Sequence, residues 1–177
     1  VSGTVNYPCS FILVCAMNPC KCGYYGHATK ACTCTPKARL AYTAKISGPL
    51  LDRIDIHVEV PALDYNELSR TEPAEPSAEI RSRVIAARAF AAARTEGALT
   101  CNGLMTPADI RRFCRMDDAG GRLMQTAYDK FALSARAYDR ILKVARTAAD
   151  FDKSEIIRKE HIGLALQLRS MSKKYWQ

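Results

Sequence analysis

A chain of 177 residues can bury one good core, or two small units sharing one, without staples to make it stable. Hydrophobic residues are 48% and charged residues 25%, an ordinary globular mix, and no apolar run approaches the roughly 18 residues of a membrane span, so a membrane partner is excluded. The net charge of +8, from 26 Lys and Arg against 18 Asp and Glu, favours polyanions such as nucleic acid or nucleotide phosphates.

The N-terminus carries no secretion pattern, and Val1 already stands in a strand-like region, so the expectation is a cytoplasmic fragment of a longer chain. In that compartment the eight cysteines read as thiols or metal ligands rather than as a disulfide framework.

In chain order, the unbroken apolar run Phe11 to Ala16 predicts a central strand covered on both faces. It ends at Asn18, a position where α/β sheets meet ligands, though from the local residues alone an Asn-Pro turn is the somewhat better reading. Straight after come Cys20-Lys-Cys22 and Cys32-Thr-Cys34, separated by nine residues that include Gly23 and Gly26. A turn there brings four thiolates around one ion, and a closed tetrahedral set leaves no position for water, which is the chemistry of structural zinc. Ligand type and compartment favour zinc over four reduced surface thiols or a disulfide formed on purification. His27 is a reserve ligand.

A short helical stretch leads to Arg53, set between Asp52 and Asp55, and then to the alternation Ile54, Ile56, Val58, Val60 of a second strand. From local sequence Arg53 reads as a surface residue paired to its neighbours. The domain reading is 1–62 for the strand region, 63–78 for a linker interrupted by Pro73 and Pro76, and 79–177 for a helical unit.

In that unit, Ser77 precedes an Ala-rich helix ending near Gly97, with Ile80, Val84, Ala87 and Ala91 on one face. Thr106 and Pro107 open a short helix, and Gly120 with Gly121 predicts a break before "RLMQTAYDKF". Ser134 caps a helix whose apolar stripe is Tyr138, Ile141, Leu142, Ala145 and Ala149, with Arg136, Arg140 and Lys143 on another face. A final helix lies near "KEHIGLALQLR". The pair "RLMQTAYDKFALSARAYDRILKVAR" also reads as helix, turn, helix, so a DNA-binding module without ATPase role is the alternative function.

The blocks "AMNPCKCGYYG", "CTCTP", "KISGPLLDRIDIHVEVP", "SAEIRSRV" and "LSARAYDRILKVARTAADF", in this order, resemble the magnesium-chelatase-like AAA+ ATPases of the YifB/ComM type along nearly the whole chain. The resemblance implies an α/β remnant of an AAA+ core followed by an all-α helical lid, mostly α overall. It also implies ATP and Mg2+ in the full-length protein, hexamers of the chain's own subunits, and DNA as a partner in branch migration during uptake and recombination. By resemblance, Asn18 matches sensor 1, Arg53 the arginine finger, and Arg136 sensor 2, with Arg140 the second candidate one turn on. No Gly-Lys pair of a phosphate-cradling loop and no Asp-Glu pair for magnesium occurs in the chain, so no ATP turnover is expected from it alone.

Overall fold

The structure is a computed structural model. It describes residues 3–7, 9, 11–27, 29–61, 65, 69 and 73–176, with side chains as far as residue 169. The chain divides into two compact units, Val1–Thr43 and Ala44–Gln177. Half of the expected linker, at 63–64, 66–68 and 70–72, lies outside the described residues.

In the first unit, residues 11–18 adopt no regular structure, and no strand ladder forms among the described residues. Phe11 is 75% exposed and Ile12 92%. The expected central strand is therefore absent, for a physical reason: an extended apolar segment becomes a strand only where a neighbour takes its N–H and C=O groups. Among the described residues nothing offers that pairing here. After the cysteine loop, α1 (Pro36–Thr43) opens with Thr35, whose Oγ1 accepts from the Ala38 amide at 3.2 Å.

The second unit begins with the one-turn α2 (Gly48–Leu51), started by Ser47, whose Oγ accepts from the Leu50 amide at 3.3 Å, and by Pro49 in the first turn. The expected second strand is again without a ladder among the described residues, and Val58 and Val60 are exposed. One backbone contact anchors it, His57 N–H donating to Leu168 O at 2.7 Å.

The helical core follows the sequence reading closely. α3 (Ser77–Arg94) starts one residue early, at Ser77 after Pro76, and of its expected apolar face only Ala87 is buried. A 3-10 turn (Asn102–Leu104) precedes α4 (Pro107–Phe113). There Thr106 Oγ1 accepts from the Asp109 amide at 3.3 Å, while the Asp109 carboxylate accepts from the Thr106 amide at 2.8 Å. Such a reciprocal cap satisfies two donors that a helix start leaves bare.

The expected break at Gly120 and Gly121 does not occur: both lie inside α5 (Asp118–Phe131). Asp117 caps that helix, accepting from Gly120 N–H at 2.6 Å. α5 ends at Ala132, left-handed at φ 46°. Ser134 then caps α6 (Ala135–Phe151), accepting from Ala137 N–H at 3.1 Å, and α7 (Lys159–Trp176) closes the unit.

Ile141, Leu142, Ala145 and Ala149 of α6 are buried, as their spacing predicts, against Met124, Ile157, Ile162 and Ala165. Each large aliphatic side chain so placed contributes roughly 1.5–3 kcal/mol. A parallel bridge between Met116 and Ile157 ties the entrances of α5 and α7. No helix among the described residues is long and apolar enough to cross a membrane.

Candidate functional site

The cysteine loop turns where its glycines allow it, with Gly23 at φ 84° and Gly26 at φ 83°, conformations that side-chain-bearing residues rarely adopt. Gly23 N–H donates to Cys20 O at 3.0 Å, closing the first turn. The outcome is that all four Sγ atoms of Cys20, Cys22, Cys32 and Cys34 lie within 4.8 Å of one another. Cys20 Sγ is 3.3 Å from that of Cys22 and 3.7 Å from that of Cys32, and Cys22 is 3.6 Å from Cys32. A tetrahedron of sulfurs at about 2.3 Å from a central ion has edges of about 3.8 Å, so four thiolates here fit one metal ion.

Neighbouring thiolates repel, and the loop separates their titrations. The Cys22 thiol is lowered to about 5, first by a backbone hydrogen bond at Tyr24. Cys34 is raised to about 11: its bond to the Cys22 backbone lowers it, but the Cys22 side chain, burial and Cys20 together raise it by more. His27 is not part of this cluster, because its Nδ1 accepts the amides of Thr29 at 3.1 Å and Lys30 at 3.2 Å. The loop is fastened to α1 by Arg39, which donates to Cys34 O at 2.9 Å and lies 4.5 Å from the Tyr25 ring centroid. Asn18 is exposed on the bend before the loop, with Gly23 beside its amide.

In the second unit three arginines meet around the turn that follows α2. Arg53 is exposed, and its Nη1 donates to Pro49 O at 2.9 Å, one turn back. Arg140 reaches the same turn from α6, donating to Arg53 O at 2.7 Å and forming an ion pair with Asp55. Arg169 reaches it from α7, donating to Ile54 O at 2.9 Å and to Asp55 O at 3.3 Å. Arg136 is exposed one turn before Arg140, on the same side of α6. Asp55 is therefore the partner of a helix residue, not of its neighbour Arg53 as the local reading held.

Sequence reasoning missed Arg169 and His57 as members of this group. Nothing local marks either one, since the contacts from Arg169 span 114 and 115 residues. Lys143, the third basic residue of the α6 face, donates to Gly103 O at 2.9 Å.

Comparison with known proteins places these residues in a lineage. The profile of the family described as magnesium chelatase, subunit ChlI C-terminal, matches residues 74–169, and that of magnesium chelatase, subunit ChlI, matches residues 1–68. The chain is 37% identical to the uncharacterised protein YifB of Escherichia coli over 171 residues, which is 96% of this chain and 33% of that protein. It is 36% identical to competence protein ComM of Haemophilus influenzae over 168 residues, 94% of this chain and 32% of that one. The chain thus spans about a third of the length of these relatives.

Proposed function

The chain belongs to the magnesium chelatase subunit ChlI family, which is AAA+ related, and from that footing we propose that it works as the C-terminal portion of an ATP-driven motor. In this reading the motor is a hexamer that hydrolyses ATP with Mg2+ and acts on DNA, as the name of the competence relative suggests. Three side chains serve the nucleotide. Asn18 orients the attacking water as sensor 1, Arg53 is the finger that stabilises charge on the transferring phosphoryl group of a neighbouring subunit, and Arg136 is sensor 2.

The observation that carries the reading is the nearness of two of these arginines. Arg53 has its backbone carbonyl on Arg140, one helical turn from Arg136, so two guanidinium-bearing residues assigned to phosphate occupy one neighbourhood of the second unit. Both side chains are exposed, as residues that must reach a nucleotide have to be.

The four-cysteine loop fits structural zinc by donor type and size. The ion would cross-link the loop and leave no ligand position for chemistry. A groove-reading DNA module fits less well, because two of the three basic side chains on that face of α6 are engaged within the chain, Arg140 by Asp55 and Lys143 by Gly103.

The test is Arg53→Ala in the assembled motor. Hexamers should persist while hydrolysis falls by roughly 10³-fold, the order of an arginine finger. A rate within a few-fold of wild type sinks the finger role, and loss of hexamers makes Arg53 a structural interface residue instead.

A further inference from the structure

The turn that carries Arg53 is gripped from outside its own segment. Arg140 of α6 and Arg169 of α7 together hold three consecutive backbone carbonyls, those of residues 53, 54 and 55, and Arg140 adds the Asp55 carboxylate. The His57 amide extends the attachment to Leu168 O, the residue beside Arg169. Elsewhere this stretch has little to fix it: α2 is a single turn, residues 54–60 have no ladder, and only Leu51 among its large apolar side chains is buried.

Charged donors on backbone carbonyls are stronger than neutral ones, and a planar guanidinium can serve adjacent acceptors at once. Two of them on successive carbonyls fix the direction of a turn rather than merely its location. A finger needs that, since displacement of a catalytic group by about 1 Å costs on the order of 10²-fold in rate.

We propose that Arg140 and Arg169 are positioning residues that latch the Arg53 turn to α6 and α7, so that the finger travels with the helical unit. The latch also occupies Arg140, which leaves Arg136 as the α6 arginine open to nucleotide. This inference rests on the finger reading for its catalytic meaning, but the latch itself is a property of the chain alone.

Hydrogen exchange on the 177-residue chain tests the latch without any nucleotide. In the Arg140→Ala, Arg169→Ala double variant, amides 53–57 should exchange at least ~10-fold faster, with the interior of α5 and α6 unchanged. Asp55→Asn, which alters neither helix, should accelerate the same amides by a smaller factor, and it keeps the test decisive if the double variant fails to fold. Unchanged exchange at 53–57 in a folded variant overturns the latch. In the assembled motor, Arg169→Ala should lower kcat about 10-fold or more at nearly constant KM, with partial rescue by Arg169→Lys. Full activity of Arg169→Ala where Arg53→Ala is inactive overturns the positioning role. Accelerated exchange with an active Arg53→Ala motor instead removes the finger assignment and leaves the latch standing.

Discussion

Arg146 and Asp150 lie one turn apart on α6, both withdrawn from solvent, with Arg146 Nε donating to Asp150 Oδ1 at 3.1 Å. Around them Arg94 of α3 pairs with the same carboxylate, and Asn102 Nδ2 donates to its other oxygen at 2.7 Å. Arg146 Nη1 donates to Glu155 O at 2.8 Å, and Nη2 donates to Ser154 O. One carboxylate thus answers two guanidinium groups in the interior of a mostly apolar core. Removing it leaves cations buried without a counter-charge, and that is the expensive way to break such a set. Asp150→Ala should destabilise the helical unit by roughly 3–5 kcal/mol in urea unfolding. A loss under about 1 kcal/mol would mean the pair is not desolvated as described.

The adjacent glycines of α5 should respond oppositely to the same substitution. A Cβ on Gly120 would stand 2.8 Å from Asp117 Oδ1 and 3.4 Å from Ile157 O, displacing the cap and pressing on backbone. At Gly121 it would meet nothing within 4 Å. Gly120→Ala should cost roughly 1–3 kcal/mol by crowding, whereas Gly121→Ala should stabilise by about 0.5–1 kcal/mol through helix propensity. Paired denaturation curves decide, and equal signs for the two would refute this account.

Metal content checks the cysteine loop. Chain purified under reducing conditions without added zinc should hold about one equivalent, and Cys22→Ser should hold much less. Chelation should speed proteolysis within residues 20–34 while the circular dichroism of the helical unit stays constant. Protein that is intact, reduced and metal-free argues for four plain thiols.

His57 supplies a pH dependence. Both ring nitrogens are buried without a hydrogen-bond partner among the described residues. Burial first, and then the Arg169 charge, lower its pKa from the ordinary 6.5, against smaller raising effects of the Leu51 and Arg169 backbones and, least, of Asp52; Arg140 is the other cation at this turn. A His held below its unfolded value favours the neutral form. Its contribution is complete above about pH 6.5 and is lost as pH falls from there towards the folded pKa. Between pH of about 7.5 and 5.5, wild type should therefore lose more Tm than His57→Gln. Parallel losses would show that another group carries the acid sensitivity.

The parts legible in the sequence are those written locally. The caps at Thr106 and Ser134 and the stripe Ile141, Leu142, Ala145, Ala149 need only neighbours within a turn or two. The cysteine cluster needs only spacing and two glycines. What escaped depends on distant partners. Gly120 read as a helix breaker, yet it lies inside α5, where a Cβ would crowd the Asp117 cap and also touch the Ile157 carbonyl, 37 residues on. Arg146 and Asp150 drew no reading from the sequence, because nothing near them announces Arg94. The apolar runs at 11–16 and 54–60 did not become a sheet among the described residues, since pairing belongs to two segments and periodicity describes one.

The run Phe11, Ile12, Leu13, Val14 has a further side. It is uncharged, β-prone, exposed, and without a ladder among the described residues. Such a segment is a template for another copy of itself. In solution the working concentration of the polypeptide is then governed by four side chains that are no part of the helical core, and Ile12→Lys should raise the onset of light scattering with no change in the melting of that core. Colloidal behaviour and folding stability are, in this molecule, separate properties set in separate units.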